Sequence, residues 1–213
     1  MTKIDQINLA FERSERLESK LTPECFEIGG FTSPKIRHLM NNLGEISTNY
    51  LEVGVHRGAT FLAAVFKNHN LETSTAVDNF SEFNENGDIR SALLNGMQKF
   101  SDRRFEVNGE DLIPSWILLD SDCWTIPLPL HEKIDLYLYD GAHDYESQKK
   151  AITHFASTMT DEFILCVDDT DWLQVQKGTD DGIQEAGLTV VSKWLRTSND
   201  GFWNGFRVYL LKK

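Results

Sequence analysis

The sequence predicts an α/β fold, namely a mostly parallel seven-stranded sheet with helices on both faces and a C-terminal antiparallel strand. First, the stretch 49–58 joins a short apolar run to two glycines, and a helical run, 59–66, follows. Second, strand-like and helix-like segments then alternate along the chain. Third, two final strand-like segments flank a turn-rich stretch at 197–205, which is typical of a hairpin.

Each element is indicated by a local pattern. Short runs rich in apolar and β-branched residues predict strands at 50–53, 73–77, 116–119, 134–139, 163–167, 188–195 and 206–211, and Gly or Asp follows each of the first five. Helical spacing predicts helices at 4–21, 34–43, 59–66, 91–100, 145–158 and 172–186. Ser33 is the expected N-cap of the second helix, with Pro34 at its first position and Gly44 just past its end. The last helix could break at Gly178.

The length of 213 residues indicates one domain, 49–213, preceded by a helical appendage at 1–48. The appendage could cap an active site or form a dimer contact, so a homo-oligomer stays open, although simple packing on the domain is expected. Because the net charge is −12, neither a nucleic acid nor an anionic membrane is an expected partner. The chain shows no apolar leader, and its three cysteines lack metal-finger spacing, which favours a cytoplasmic protein.

The glycine-containing turn after the first predicted strand, 54–58, indicates which kind of nucleotide ligand could bind there. A dinucleotide site needs G-x-G-x-x-G, whereas this chain has Gly54 and Gly58 with His56 between them and no third glycine. Glu52, at the end of the strand, would repel phosphates but could accept hydrogen bonds from a cationic amine. A ligand with an adenosine and an amino-acid end, S-adenosylmethionine, fits these residues better. The alternative is a turn in which the glycines serve only the backbone.

Two later strand ends carry polar residues that suit the same ligand. Asp78 lies about 20 residues after Gly58, the separation at which an acidic residue reaches a ribose hydroxyl pair. Ser121 and Asp122 follow the next strand and could bind the adenine amino group. A turn that simply ends the strand is the alternative at both places.

Acidic residues also follow the strands at 134–139 and 163–167. One helical crossover joins these strands, so we expect them to be parallel neighbours whose carboxyl ends share an edge. Asp140, Asp168 and Asp169 would then gather there, and a divalent ion such as Mg²⁺ would relieve their repulsion. His143 would face the same cleft as a candidate general base. Strand termination by the aspartates and helix capping by His143 are the alternatives.

These motifs resemble a known family. The stretches 51–58 and 77–80 look like the first two motifs of class I S-adenosylmethionine-dependent methyltransferases, which have a Rossmann-like fold. Asp140-Gly-Ala-His143-Asp-Tyr, with the later pair Asp168-Asp169, is similar to metal-dependent O-methyltransferases of the macrocin and mycinamicin sugar-modifying type.

The resemblance implies a role for each residue. Glu52, Gly54, His56 and Gly58 would hold the methionine end of S-adenosylmethionine. Asp78 would hold the ribose, and Ser121 and Asp122 the adenine region. Asp140 would border the cofactor and, with Asp168 and Asp169, take Mg²⁺ or another divalent cation. His143 would remove the proton from a small hydroxylated acceptor.

Other functions stay open on the residues alone. A protein that binds or senses S-adenosylmethionine would need the cofactor residues but no metal. A metal-assisted hydrolase would use the aspartates without the methyl donor. A nicotinamide oxidoreductase lacks its third glycine, and a serine hydrolase would need G-x-S-x-G. Trp172, Trp194, Phe202 and Trp203 could line an acceptor pocket or belong to the core.

Overall fold

The computed structural model describes residues 1–83, 88–100, 104–107 and 115–213. Six α-helices lie in these ranges: α1 Lys3–Glu15, α2 Pro34–Gly44, α3 Ala59–Val65, α4 Ile89–Phe100, α5 Tyr145–Phe155 and α6 Leu173–Glu185. The strands are β1 Asn49–Val53, β2 Thr73–Asp78, β3 Arg104–Val107, β4 Ser115–Asp120, β5 Ile134–Tyr139, β6 Met159–Asp168, β7 Thr189–Arg196 and β8 Phe206–Lys212.

The strands form one sheet in the order β3-β4-β2-β1-β5-β6-β8-β7. β8 is antiparallel to both neighbours, and the pairs from β3 to β6 are parallel. This confirms the predicted α/β class and its antiparallel C-terminal strand. β3 is an additional edge strand that the sequence reading did not predict. Strands β2, β3 and β4 lie on one side of β1 and the strands from β5 onward on its other side, so the strand order reverses between β1 and β5, which is where open sheets of this kind bind ligands.

The core lies on both faces of the sheet because side chains alternate along each strand. On β5, Leu136 and Leu138 pack with α1, α2, α3 and α4, whereas Tyr137 and Tyr139 pack with α5 and α6. Fully buried aromatic and aliphatic side chains occupy both layers. Helices therefore cover both faces, and the carboxyl edge of the sheet stays open between them.

Several predicted helix boundaries are wrong. α1 ends at Glu15 rather than near residue 21, because Leu17 has a left-handed backbone (φ +56°). Gly44 is the last residue of α2 rather than a residue beyond it, and a Cβ there would lie 2.3 Å from the Ala64 carbonyl oxygen. The helix predicted at 145–158 ends at Phe155, with a 3₁₀ turn after it, and α6 runs unbroken through Gly178.

Candidate active site

A cleft opens where the carboxyl ends of β1 and β5 meet. The Gly54 N–H donates to the Val77 carbonyl at 2.9 Å, and the Asp140 N–H donates to the Val53 carbonyl at 2.8 Å. Gly54 has a φ of +86°, and a Cβ there would lie 2.0 Å from the Asp140 carbonyl oxygen. Only glycine fits this position, so Gly54 serves the close approach of the β1 and β5 backbones, as the backbone-only alternative had it.

Asp78 connects two loops at the end of β2. Its Oδ2 accepts a hydrogen bond from the His56 N–H at 2.8 Å, and its Oδ1 accepts one from the Phe80 N–H at 2.7 Å. His56 and Phe80 have φ values of +50° and +53°. Non-glycine residues adopt such angles uncommonly and persist there when their surroundings hold them. The Asp78 carboxylate supplies part of that restraint.

Glu52 and Gly58 lie beside the cleft. Gly58 precedes α3 with a φ of +84°, and a Cβ there would lie 2.4 Å from Leu93 Cδ1. Glu52 is completely buried and accepts hydrogen bonds from the hydroxyls of Tyr50 and Thr60. Burial raises the pKa of Glu52 to about 8, although both hydrogen bonds act to lower it.

The predicted acidic residues gather at the ends of β5 and β6. His143 Nε2 lies 3.0 Å from Asp169 Oδ2 and 3.5 Å from Asp140 Oδ1. Asp168 is 2% exposed and Asp169 8% exposed. Asp169 has a φ of +55°, a further uncommon backbone angle in the cleft. The sequence-based expectation that these four side chains meet at one sheet edge agrees with the structure.

The protonation of this cluster follows from burial and mutual charge. Burial would lower the pKa of His143, but hydrogen bonding to Asp140 and Asp169 outweighs it and raises that pKa to about 10. Burial raises the pKa of Asp140 to about 6 against the opposing effect of His143. Burial, with the charges of Asp140 and Asp169, also raises the pKa of Asp168 well above its usual range. His143 is thus an imidazolium at neutral pH in this arrangement.

Two buried carboxylate oxygens of this cluster have no hydrogen-bond partner among the described residues. Asp168 Oδ1 and Asp169 Oδ1 accept no hydrogen bond within the described part of the chain, whereas His143 Nε2 is occupied by its contact with Asp169 Oδ2. Buried carboxylate oxygens without donors suit a hard cation such as Mg²⁺. In the described ranges, however, no three His, Cys, Asp or Glu side chains already converge with metal-binding spacing. The residues therefore fit a divalent cation chemically but would have to move to ligate it together.

Two cavities open at this edge. Cavity A, of about 260 Å³, is lined by Asp140, Asp168 and Asp169, which we call the acidic cluster, and by several aromatic side chains. Cavity B, of about 400 Å³, is lined by Asp78, Ser121 and Asp122. The residues that line both cavities are Gly54, His56, Phe83, Asp140 and His143. Among the predicted site residues, Glu52 and Gly58 line neither cavity.

Sequence reasoning missed part of the wall of cavity A. Phe31, from the loop before α2, and Phe83, from the loop after β2, both line it. Trp172 and Trp203 line it as well, whereas Phe202 is completely buried in the core and Trp194 packs against that core. Of the four later aromatics, two thus line a cavity and two belong with the core. Phe31 carries no periodic signal; the pair of glycines before it was the only available hint.

No helix in the described ranges is long and apolar enough to cross a membrane. A search of curated proteins gives no significant match. Among solved structures, a candidate S-adenosylmethionine-dependent methyltransferase from Streptococcus mutans matches at 12% identity with a TM-score of 0.56. That alignment covers 84% of this chain but 48% of the other, so this chain spans about half the length of that relative.

Two further structures align over nearly their whole length. A candidate RNA methyltransferase from Pyrococcus horikoshii matches at 10% identity with a TM-score of 0.57, covering 100% of this chain and 98% of the other. The O-methyltransferase TomG from Streptomyces achromogenes, in complex with S-adenosylmethionine, matches at 13% identity with a TM-score of 0.56. Coverage there is 96% of this chain and 90% of TomG. At such identities these likenesses establish the class I methyltransferase fold.

The sequence of this chain also matches a protein family. A family model described as a methyltransferase domain matches residues 51–170, which run from β1 to the loop after β6. The matched region includes the glycine turn, Asp78, Asp140, His143 and the Asp168-Asp169 pair. Because the match covers more than half of the chain, this protein belongs to that family of S-adenosylmethionine-dependent methyltransferase domains.

Proposed function

We propose that this protein transfers a methyl group from S-adenosylmethionine to a hydroxyl of a small molecule, with a divalent cation at Asp140, Asp168 and Asp169. The observation that carries the proposal is that cavities A and B share a wall at Gly54, Asp140 and His143. A donor in one cavity and an acceptor in the other would meet at that wall. Holding two reactants in contact and in line is a large part of what a group-transfer enzyme must do.

Cavity B is the proposed site for the nucleoside end of the cofactor. Asp78 would accept hydrogen bonds from the ribose hydroxyls, and Ser121 and Asp122 would bind the adenine. Both Asp78 oxygens already accept backbone hydrogen bonds, which fixes the carboxylate in place and leaves lone pairs for a ligand. The methionine end would extend past Gly54 and His56 toward the shared wall. Glu52 would act indirectly, by holding Thr60 in the wall of cavity A.

Cavity A is the proposed acceptor site, and the acidic cluster is its chemical centre. Bound there, a divalent cation would supply Lewis acidity that lowers the pKa of the acceptor hydroxyl. His143 would take the hydroxyl proton. In the arrangement described, Asp140 and Asp169 hold that histidine protonated, so a base role requires these carboxylates to be engaged by another cation. The macrocin-type resemblance supports the same assignment of residues.

A small molecule is the acceptor that the charges favour. The net charge is −12, and no Lys or Arg lines cavity A among the described residues. A nucleic-acid acceptor would ordinarily require a basic surface. The likeness to a candidate RNA methyltransferase is a likeness of fold and does not weigh against this.

Thermal unfolding with S-adenosylhomocysteine, without and with Mg²⁺, tests the proposal. A ligand at ~100 times its dissociation constant should add roughly 2.7 kcal/mol of stability. We expect Mg²⁺ to add a second shift that Asp168→Asn removes. Asp161→Asn, an exposed carboxylate on the same strand, should retain it.

The outcomes separate the competing functions. Absence of any shift with S-adenosylhomocysteine would refute the proposal as a whole. A cofactor shift that ignores Mg²⁺ would refute the metal role and favour a protein that binds S-adenosylmethionine without chemistry. The observation that favours this second function is that His143 is engaged by Asp169 at 3.0 Å and by Asp140 at 3.5 Å rather than free to act as a base.

A further inference from the structure

Cavity A contains an unusual share of the protein's exposed aromatic surface. Phe31 is 59% exposed, Phe83 67%, Trp172 42% and Trp203 43%. Elsewhere in the described ranges none of the exposed large hydrophobic side chains is aromatic, and those four aromatics all line this cavity. Exposed apolar surface collected in one place is typical of a binding site.

The four rings come from separate loops that the fold fixes in place. Phe31 stacks on His56 with ring centroids 5.4 Å apart, and Phe83 contacts Phe31 edge-on at 5.8 Å. Trp172, at the start of α6, contacts His143 edge-on at 5.3 Å. One pair of rings thus flanks the cofactor loop, and one tryptophan touches the proposed base.

Trp203 is held by the backbone around it. The Thr170 N–H donates to the Gly205 carbonyl at 3.2 Å, and the Asp171 N–H donates to the Asn204 carbonyl at 2.8 Å. Gly205 has a φ of +88°, and a Cβ there would lie 2.5 Å from Asp171 Oδ1. The turn between β7 and β8 is therefore fastened to the loop that carries Asp168 and Asp169.

The charged side chains around cavity A also restrict the charge of a ligand that could bind there. The acidic cluster is negative, and the described lining of cavity A includes no Lys or Arg to pair with an anion. Arg37 lies behind the Gly30 backbone, where it is 6% exposed and donates to the Cys25 carbonyl at 3.2 Å. Because His143 is already paired with Asp140 and Asp169, an anionic substituent in the cavity would be desolvated without a free cationic side chain among the described lining residues.

We propose that the acceptor in cavity A is a hydroxylated aromatic ring without an anionic substituent, bound between Phe31 and Trp172. Aromatic side chains favour such a ring through offset or edge-on contacts. A sugar would instead need side-chain hydrogen bonds for its several hydroxyls, and beyond the acidic cluster and the two histidines this lining offers Thr32, Thr60 and Asn204. The inference rests on the proposed function, because it names the acceptor of that same site.

The test is binding to the complex with S-adenosylhomocysteine and Mg²⁺ at pH 7.5, measured by calorimetry. The probes are 1,2-dihydroxybenzene, 3,4-dihydroxybenzoate and methyl β-glucoside. We expect the uncharged ring to bind about tenfold or more tightly than the other two. Phe31→Ala and Trp172→Ala should each weaken it about five- to tenfold, consistent with loss of one aromatic contact and its buried area. Trp172→Phe should retain most of the affinity.

Leu173→Ala is the matched control, because Leu173 follows Trp172, is 75% exposed and lies outside the lining of cavity A. It should change affinity less than twofold, and every variant should keep its thermal shift with S-adenosylhomocysteine, which reports a folded cofactor site. Equal binding of the benzoate, tighter binding of the glucoside, or unchanged affinity in both alanine variants would overturn the aromatic acceptor alone. Loss of cofactor binding by the wild-type protein would overturn the proposed function with it.

Discussion

Two buried carboxyl groups, those of Glu52 and Asp168, are costly to ionise in the folded protein. Glu52 is completely buried, and Asp168 is nearly so, with one oxygen that receives no hydrogen bond within the described ranges. Desolvation penalises the ionised form of each residue more than its partners stabilise it, so both pKa values are raised. Such residues lower stability at neutral pH, and in an enzyme that cost is tolerated where it serves a ligand.

Glu52 predicts a specific pH dependence of stability. Its folded pKa is about 8, against an ordinary 4.5. Between these values the folded state holds a proton that the unfolded state has released, so the free energy of unfolding falls as pH rises from about 5 to 8. We expect Glu52→Gln to flatten this fall by on the order of 2–4 kcal/mol. Denaturant unfolding at several pH values measures it.

Glu72→Gln serves as the matched control, because Glu72 is an exposed glutamate just before β2. That variant should follow the wild-type curve within about 0.5 kcal/mol at each pH. If Glu52→Gln also keeps the full wild-type slope, the buried carboxyl is ionised throughout and its raised pKa is incorrect.

At the scale of elements, glycines set how closely the helices pack. Gly178 lies in the middle of α6, where a Cβ would lie 2.6 Å from the Tyr145 carbonyl oxygen and 2.7 Å from Gln148 Cβ. Gly96 lies in α4, where the nearest atom to a Cβ would be Leu62 Cδ1, at 2.5 Å. The first obstacle includes the backbone of α5, whereas the second is the end of a flexible side chain.

These two glycines predict opposite responses to alanine. Alanine is favoured over glycine in a helix by about 1 kcal/mol, but overpacking costs about 1–3 kcal/mol. Gly178→Ala should therefore lower the free energy of unfolding by roughly 1–2 kcal/mol, because α5 and α6 must separate. Gly96→Ala should change it by less than about 0.5 kcal/mol, since Leu62 can adjust. Equal losses in urea unfolding would mean that the α5–α6 contact is no tighter than the α3–α4 contact.

At the scale of the whole molecule, the sequence predicted what local patterns determine. The apolar runs of β1, β5 and β6 announce buried strands, and the crossover rule places Asp140 beside Asp168. The predicted α1 was too long because Leu17 and Leu21 continue the apolar spacing. The helix ends where Leu17 adopts a left-handed backbone, and no glycine in the sequence marks that position. Apolar spacing alone cannot distinguish a helix that continues to residue 21 from one that ends at residue 15.

The cleft was only partly predictable for a related reason. Asp78, Asp140 and His143 stand at strand ends, so topology alone brings them to one edge. Phe31 reaches that edge from a loop whose Gly30 packs directly on Ala59 of α3, a contact between segments far apart in the chain. Likewise, burial of Glu52 depends on Tyr50 and Thr60 around it, and no spacing rule reveals that the carboxylate lies outside both cavities.

Net charge leads to a prediction for the whole molecule. With 33 acidic and 21 basic residues, the folded state repels itself at neutral pH. Surface ion pairs oppose this; Glu15, for example, pairs with both Lys35 and Arg196, but exposed pairs contribute at most about 1 kcal/mol each. Salt screens both effects, and the excess of like charges should dominate. Raising NaCl from about 0.05 to 0.5 M shortens the screening length severalfold.

We therefore expect NaCl to raise the melting temperature at pH 7.5 by a few degrees, where about 1 kcal/mol corresponds to 2–4 °C for a chain of this size. Near pH 5 many carboxylates approach protonation, the net charge shrinks, and the salt effect should become much smaller. Scanning calorimetry at both pH values measures the two slopes. A melting temperature that falls with salt at pH 7.5 would mean that ion pairs such as Glu15–Arg196 outweigh the repulsion, and stability would then depend on the attachment of α1 to β7.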